Sequence, residues 1–223
     1  MPASLKKRLS SGPVQLNIIG VLLLVLLVAS AWNVLRPPTL GSIIPLLCIG
    51  YAAFCIIFEL TFNRANVPTL ATGFIGRRKI TKILRDEAAR HPGKTYTIID
   101  LGSGRGELTR RIAKGIPNAT VIGLERTRFP CWQASLVQRW LGPKNLSYRC
   151  CDFWPYDCAS VDAVVFYLTP TMAQRVGEKL YRELKPGSVV ISHTFPLLGA
   201  WMPVDIVRYR SPFKETLYIY KKN

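Results

Sequence analysis

An apolar stretch that runs directly into three closely spaced glycines constrains the fold of this chain more than any other feature. Residues 98–108 read IIDLGSGRGEL, so Gly102, Gly104 and Gly106 follow a strand-like apolar pattern. Glycine adopts positive φ at little cost and lets the backbone approach a ligand closely. A strand, a glycine-rich turn and a following helix are together typical of α/β domains that hold a cofactor at the turn.

Further strand patterns alternate with helix patterns along the rest of the chain. The strands are predicted at 95–101, 120–124, 146–150, 161–166, 189–192, 204–209 and 215–220, and the last two alternate like an antiparallel pair. Alternation of this kind predicts a mostly parallel sheet with helices on both faces. Right-handed crossovers then bring the carboxyl ends of the parallel strands to one edge, where ligands bind.

The residues around the turn favour a cationic cofactor over a dinucleotide. A dinucleotide turn has a third glycine where this chain has Glu107, and an acid directly before the turn, Asp100, does not suit pyrophosphate. S-adenosylmethionine carries a sulfonium and an ammonium group and no phosphate, which suits Asp100. Glu125, after the second strand, is placed to accept the ribose hydroxyls. An NAD-dependent oxidoreductase is disfavoured, although NAD also uses an acid at that position.

Two more strand ends supply candidate residues. Asp152, after the third strand, is placed to accept the adenine amino group, with Phe153 or Trp154 beside the ring. Tyr167 ends the fourth strand pattern and, with Thr169 and Pro170, is predicted to form the lip where an acceptor meets the methyl group. For each acid alone, a helix cap or a solvated loop residue is an equally good interpretation. Their occurrence at successive strand ends favours a site.

These motifs resemble those of the class I S-adenosylmethionine-dependent methyltransferases, from about Arg77 to the C-terminus. Residues 100–106, DLGSGRG, are similar to the first motif of that family. The resemblance implies a Rossmann-like, seven-stranded methyltransferase sheet and the cofactor S-adenosyl-L-methionine. The cofactor-binding residues that we predict are Asp100, Gly102, Ser103, Gly104, Gly106, Glu125, Asp152 and Phe153.

A narrower resemblance concerns the second half of the chain. FYLTP at 166–170, KLYREL at 179–184, SHTFP at 192–196 and WMP at 201–203 resemble the membrane-anchored protein-lysine methyltransferases of ATP synthase subunit c and the adenine nucleotide translocase, and their prokaryotic relatives. NVPT at 66–69 belongs to the same pattern. The chain departs from it at Arg105, where an Asp is common, and after Glu125, where Asn-Pro is common. These departures concern the acceptor more than the cofactor.

Two tryptophans and a histidine lie near the predicted acceptor site. Trp154 and Trp201 either line an acceptor channel or pack in the core. His193, at the end of the fifth strand, is interpreted as structural and not as a general base.

Six cysteines without a CxxC pair, and two distant histidines, predict reduced thiols and no metal site. Cys131, Cys150 and Cys151 are expected in the core.

The N-terminal region is predicted to be a transmembrane hairpin. Residues 17–35 and 39–62 are each long and apolar enough to cross about 30 Å of hydrocarbon, and Arg36-Pro37-Pro38 separates them. Basic residues flank the pair on both outer sides, which places both ends, and the catalytic domain, on the cytoplasmic side. The membrane is then the bacterial inner membrane, or the mitochondrial inner membrane in a eukaryote. The predicted organisation is a basic tail at 1–16, the hairpin at 17–62, a linker at 63–76 and the methyltransferase domain at 77–223.

Two alternatives remain for this region. The first apolar run, ending in Ala29-Ser30-Ala31, also resembles a cleaved signal peptide. The other alternative concerns the second apolar run, which contains Pro45, Gly50 and Glu59. In this alternative it lies at the membrane interface or on the domain and does not cross the membrane.

The charge of the chain indicates an anionic partner. Thirty Lys and Arg against 13 Asp and Glu give a formal net charge of +17. With no nucleic-acid-binding module in the sequence, we expect an anionic lipid surface and no nucleic acid. A solvated basic face without a specific role is the plain alternative.

The predicted function is methylation of a lysine on a membrane protein by a membrane-anchored enzyme. A lipid or a membrane-soluble small molecule is the alternative acceptor, and a non-catalytic membrane scaffold is the alternative outside enzymes. The sequence leaves the number of methyl groups and the oligomeric state open.

Overall fold

The computed structural model of the chain describes residues 50–51, 53–54, 72–210 and 214–223. The chain divides into two compact units, 1–66 and 67–223, and the fold below belongs to the second. Apart from four helical residues, 50–51 and 53–54, the two predicted membrane spans lie outside the described residues, as do the tail and most of the linker. Among the described residues, no helix has the length and apolar character needed to cross a membrane.

Seven strands and the helices between them follow the predicted order closely. The strands are β1 (Tyr96–Leu101), β2 (Ala119–Leu124), β3 (Leu146–Arg149), β4 (Ala163–Phe166), β5 (Val189–His193), β6 (Pro203–Arg210) and β7 (Lys214–Lys221). The described helices of this unit are α1 (Phe74–Ala89), α2 (Glu107–Gly115), α3 (Arg128–Leu141) and α4 (Pro170–Glu183).

All seven strands form one sheet in the order β3-β2-β1-β4-β5-β7-β6. β1 to β5 pair in parallel with their neighbours, and β7 pairs antiparallel with both β5 and β6. The prediction of a seven-stranded, mostly parallel sheet is confirmed. The last strand in the sequence therefore lies inside the sheet, between β5 and β6.

The strand register aligns the carboxyl ends of the parallel strands in one row. Leu101 of β1 pairs with Leu124 of β2 on one side and with Phe166 of β4 on the other. Beyond these pairs the row extends to Arg149 of β3 and Ser192 of β5. The residues that follow these ends are thus neighbours, and they include Glu125, Gly102, Tyr167 and His193.

Successive side chains along the strands point to opposite faces of the sheet and contribute to two apolar cores, one on each face. Ile98, Val121 and Val165 face α1 and α2, where Ile80, Leu84 and Ile112 complete one core. Ile99, Leu101 and Phe166 face the other side, where α4 and the segment from Leu197 to Trp201 complete the second. Helix α3 packs against β3 at one end of the sheet. Helices on both faces hold the strand ends rigidly in place.

The cysteine prediction is wrong for one pair. Cys131 of α3 and Cys150, directly after β3, form a disulfide with a Cα–Cα distance of 5.6 Å. The reason is that α3 packs on β3 and brings together two positions 19 residues apart in sequence. Cys150 is exposed and Cys151 half-buried, so neither lies in the core. Cys158 is a buried free thiol whose pKa burial raises to about 11.

Candidate active site

The glycine turn between β1 and α2 has the conformation that its sequence predicts. Gly102, Gly104 and Gly106 all have positive φ, at 77°, 54° and 74°. The amides of Gly102 and Ser103 both donate to the carbonyl of Leu124, at 2.9 and 3.0 Å. The turn is therefore tied to the end of β2, and its backbone forms an open cradle at the carboxyl edge of the sheet.

Tyr148 of β3 supports this cradle from below. Its hydroxyl donates to the carbonyl of Gly106 at 3.0 Å, and burial raises the pKa of Tyr148 to about 12, so the donor stays protonated. A Cβ at Gly106 would collide with the Tyr148 ring and hydroxyl, and a Cβ at Gly123 would come within 2.6 Å of the same ring. Glycine is thus required at Gly106 for space as well as for φ. Sequence reasoning missed Tyr148, because no local pattern marks it.

Asp100 lies beneath the turn as a buried acid. It is 4% exposed, and its Oδ2 accepts a hydrogen bond from the Thr109 hydroxyl at 2.7 Å. Burial raises the pKa of Asp100 to about 7; the bond from Thr109 opposes the rise and the Glu125 carboxylate adds to it. A cation placed above the turn would favour the ionised form and bring this pKa down.

Glu125 is held at the end of β2 by backbone amides. Its Oε2 accepts from the Gly104 amide at 2.9 Å, and its Oε1 accepts from the Thr127 amide at 2.7 Å. Each carboxylate oxygen keeps a further lone pair, which leaves acceptors for a pair of vicinal hydroxyls.

Asp152 and Phe153 follow β3 on the same edge. Asp152 Oδ1 accepts from the Trp154 amide at 3.1 Å. Phe153 is 6% exposed and belongs to the core that α4 covers, with its ring centroid 5.0 Å from that of Trp154. The Arg175 guanidinium lies over the Trp154 ring at 4.8 Å. Phe153 therefore has a packing role in addition to the predicted role beside the adenine.

The cradle fits S-adenosylmethionine. The three glycines leave its floor free of side chains, and two carboxyl groups, Asp100 and Glu125, stand at its base and side. The hydroxyl of Ser103 is buried next to Gly123 of β2 and has no hydrogen-bond partner among the described residues. A cofactor with cationic and hydroxyl groups matches this set.

On the other side of the turn, the end of β4 places the predicted acceptor residues. Tyr167 directly follows Phe166, which pairs with Leu101 at the start of the turn. Thr169 is the N-cap residue of α4, and Pro170 is at its first position. These two residues start the helix, a position that favours Pro because its fixed φ suits the first turn. Tyr167, two residues before Thr169, lies beside His193 of β5.

His193 lies beside Tyr167 in a buried polar cluster. The two ring centroids are 4.1 Å apart, and His193 is 1% exposed. The Tyr209 hydroxyl is 2.8 Å from its Nε2, and the Thr72 hydroxyl is 3.4 Å from its Nδ1. Burial lowers the pKa of His193 to about 4, while the Glu215 carboxylate opposes this shift. The imidazole is therefore neutral at physiological pH, in agreement with a structural role.

Two polar atoms in this cluster have no hydrogen-bond partner within the described part of the chain, Glu215 Oε2 and Thr194 Oγ1. Glu215 is buried, and its Oε1 is 3.9 Å from His193 Nε2. Thr194 has a φ of 72°, which is rare outside glycine and marks a constrained backbone. Unsatisfied polar atoms and a constrained residue occur together where ligands bind more often than elsewhere.

Comparison with known proteins agrees with this geometry. A family model described as the ANTKMT methyltransferase domain matches residues 100–205, a segment that contains every residue predicted to bind the cofactor. The adenine nucleotide translocase lysine N-methyltransferase of Mus musculus is 28% identical over 167 residues, which are 70% of this chain and 67% of the relative. A protein-lysine N-methyltransferase of Saccharolobus islandicus is 26% identical over 125 residues, 55% of this chain and 77% of the relative.

A solved structure extends the likeness to the fold. The RNA methyltransferase of Salinibacter ruber, in complex with S-adenosyl-L-homocysteine, has a TM-score of 0.58 and is 25% identical, covering 68% of this chain and 93% of that one. These matches show an S-adenosylmethionine-dependent methyltransferase. Its cofactor is therefore S-adenosylmethionine, and the matched proteins are named as enzymes, not as non-catalytic scaffolds.

The methyltransferase brings most of the predicted residues to one edge. Asp100, the glycine turn, Glu125 and Tyr167 are neighbours through the strand register. Trp201 is not at this edge: it is 5% exposed, and its Nε1 donates to the Gly177 carbonyl at 2.8 Å. Of its two readings, core packing is the one that the structure supports. Tyr209 and Glu215 were missed, because an antiparallel pair at the C-terminus gave no sign of reaching His193.

Proposed function

We propose that this methyltransferase transfers the methyl group to the side-chain nitrogen of a lysine on a membrane protein. The two curated relatives described above are both lysine N-methyltransferases. The first of them acts on the adenine nucleotide translocase, as its name states. The residues predicted to form the acceptor site, Tyr167, Thr169 and Pro170, lie inside the matched family segment, as does His193.

The observation that carries the proposal is the burial of His193 beside Tyr167. A lysine must be neutral before its nitrogen can attack a methyl group, and desolvation favours the neutral form of a base. The same edge already lowers the pKa of a base, His193, to about 4. An amine inserted next to Tyr167 would experience the same desolvation, so its pKa would also fall.

The chain's own residues then have distinct tasks. When bound, S-adenosylmethionine supplies a methyl group on a positively charged sulfur. Asp100 and Glu125 hold the cationic and hydroxyl parts of the cofactor on the glycine turn. The Tyr167 ring and hydroxyl orient the amine from the neighbouring strand end. Positioning of two reactants in this way supplies about 7–11 kcal/mol of a barrier in favourable cases.

Membrane attachment is the second part of the proposal. The apolar segments at 17–35 and 39–62 would anchor the enzyme, with the catalytic domain on the cytoplasmic side. An anchor confines the enzyme to the plane that contains its substrate and so raises the effective concentration. The alternative acceptor, a lipid or apolar small molecule, rested on an apolar channel at Trp154 and Trp201, and Trp201 is a core residue.

Transfer of labelled methyl groups to native membranes tests the proposal. Full-length enzyme and methyl-labelled cofactor are incubated with membranes from the source organism, and protein and lipid extracts are counted separately. We expect the label on lysine in one or a few membrane proteins. The Gly104→Arg variant, which fills the cradle, should transfer none. Label in lipid, or in protein residues other than lysine, would refute the proposed acceptor.

A further inference from the structure

A strongly basic cleft lies between α1 and α2, on the sheet face that carries these helices. Its volume is about 910 Å³. Eight basic side chains line it: Arg77, Arg78, Lys79, Lys82, Arg85, Arg110, Arg111 and Lys114. Glu107 is the single acid among the described lining residues, and Arg77 pairs with it. The cleft therefore carries a large uncompensated positive charge, and methyl transfer as described above does not use it.

The cleft combines this charge with exposed apolar surface. Phe74 is 57% exposed and Ile75 is 43% exposed, at the first two positions of α1. The Arg78 and Arg111 guanidinium groups lie over the Phe74 ring, at 5.6 and 5.2 Å from its centroid. Arg111 Nε is buried without a hydrogen-bond partner in the described chain. The cleft thus has an unsatisfied cationic donor and an apolar rim.

We propose that this cleft binds the phosphate-bearing headgroup of an anionic phospholipid. Basic side chains beside exposed apolar ones are the pattern of a surface that lies in the headgroup region of a bilayer. Phe74 and Ile75 would enter the acyl boundary, and the lysines and arginines of α1 and α2 would surround the phosphate. Inserted in this way, α1 fixes the orientation of the domain on the membrane.

A nucleic acid is the competing polyanion, and the cleft suits it less well. Single-stranded nucleic acids bind where aromatic rings offer their faces to successive bases. Phe74 is the aromatic residue in the described lining, and arginines already lie over its ring. In the sequence, α1 begins twelve positions after an apolar stretch that ends at Phe62.

The experiment counts lipids bound to the full-length chain by native mass spectrometry from a nonionic detergent, at about 0.15 M salt. The probes are dioctanoyl phosphatidylglycerol, dioctanoyl phosphatidylcholine and a short single-stranded RNA. The cleft variant is Arg78→Glu with Lys82→Glu and Arg85→Glu, all exposed on α1. The control is Arg139→Glu with Lys144→Glu and Arg182→Glu, which are exposed elsewhere and change the net charge equally.

We expect phosphatidylglycerol to bind the wild type and the control at concentrations where phosphatidylcholine does not. The cleft variant should bind phosphatidylglycerol at least tenfold more weakly. Equal binding of both lipids, or equal loss in the two variants, would overturn the assignment. Tighter binding of RNA than of phosphatidylglycerol would assign the cleft to nucleic acid instead. Since no methyl transfer is measured, these results are independent of the identity of the acceptor.

Discussion

The carboxyl ends of the parallel strands form one edge of the sheet, with the glycine turn in one half and Tyr167 and His193 in the other. These two halves bury opposite kinds of titratable group. The cofactor half buries an acid, Asp100, whose pKa rises to about 7. The half beside Tyr167, which we propose as the acceptor half, buries a base, His193, whose pKa falls to about 4. In both cases desolvation is the largest cause, and it favours the uncharged form. Asp100 and His193 are thus both buried groups whose charged forms are disfavoured by desolvation, although one is an acid and the other a base.

The halves also differ in how they are built. The cofactor half depends on backbone conformation at consecutive positions, with carboxylates and amides within hydrogen-bond reach. The acceptor half depends on side chains from five separate segments, Thr72, Tyr167, His193, Tyr209 and Glu215. Three tests, with four substitutions between them besides the controls, break or sharpen this contrast, beginning with the largest expected effect.

Gly106→Ala should damage the cofactor half most. The added Cβ collides with Tyr148, and the residue must keep a φ of 74°. Left-handed strain and overpacking together cost about 3 kcal/mol, so cofactor affinity should fall at least about 100-fold. Calorimetric titration and thermal unfolding measure the two effects.

Gly93→Ala is the matched control for that change. Gly93 also has positive φ, at 81°, and nothing lies within 4 Å of the position of its Cβ. It should cost about 1 kcal/mol of unfolding free energy and leave the cofactor affinity unchanged. Equal effects of the two substitutions would show that Tyr148 does not shape the cradle.

The pH dependence of stability should separate the two buried groups. Between pH 4 and 6.5 the unfolded chain binds a proton at His193 that the folded chain does not, so this group's contribution to stability falls as pH falls. Between pH 3.8 and 7 the folded chain keeps a proton at Asp100 that the unfolded chain releases, so that contribution falls as pH rises. The two slopes largely cancel in the wild type.

Single substitutions remove this cancellation. Asp100→Asn should leave a protein whose unfolding free energy, relative to wild type, drops by about 3 kcal/mol from pH 6.5 to 4. His193→Gln should show the reverse, with a relative drop of similar size from pH 4 to 6.5. Urea unfolding at a series of pH values measures both. Parallel profiles for the two variants would mean that the groups are not buried in opposite states.

The smallest expected effect concerns Thr109, whose hydroxyl is the contact that lowers the pKa of Asp100. A cationic cofactor favours ionised Asp100, so cofactor affinity should rise as pH increases through about 7. Thr109→Val should move that midpoint upward by about half a pH unit. Thr81→Val is the control, because the Thr81 hydroxyl donates to the Arg77 carbonyl, away from any acid. A shift in both variants, or in neither, would contradict this role of Thr109.

The contrast between the halves also explains what the sequence could predict. The roles of Gly102, Gly104 and Gly106 could be predicted because their spacing is typical of a turn with positive φ. Glu125 could be predicted because it directly follows the second strand, which is expected next to the first. Tyr148 could not be predicted from the sequence. Its role depends on which side chain of β3 points beneath the turn, and only the sheet order and register decide that.

The acceptor half was predicted in part. The position of Tyr167 follows from the end of an apolar strand, but Tyr209 and Glu215 reach His193 through the placement of β7 inside the sheet. A hairpin at the C-terminus is expected to add to the outer edge of a sheet, and its sequence shows no preference for insertion. The disulfide between Cys131 and Cys150 was missed for a similar reason, since it depends on which strand α3 covers.

The late position of β7 has a consequence for how the molecule is made. Translation has produced β1, β2 and β3, and with them every residue of the cofactor cradle, by the time that Phe153 is added. Glu215 and the rest of β7, which lies between β5 and β6 in the sheet, are synthesised after all the other strands. Because chains begin to fold from the N-terminus during synthesis, the residues of the cofactor cradle are synthesised and can fold first. The polar cluster around His193 is complete only once β7 has been made.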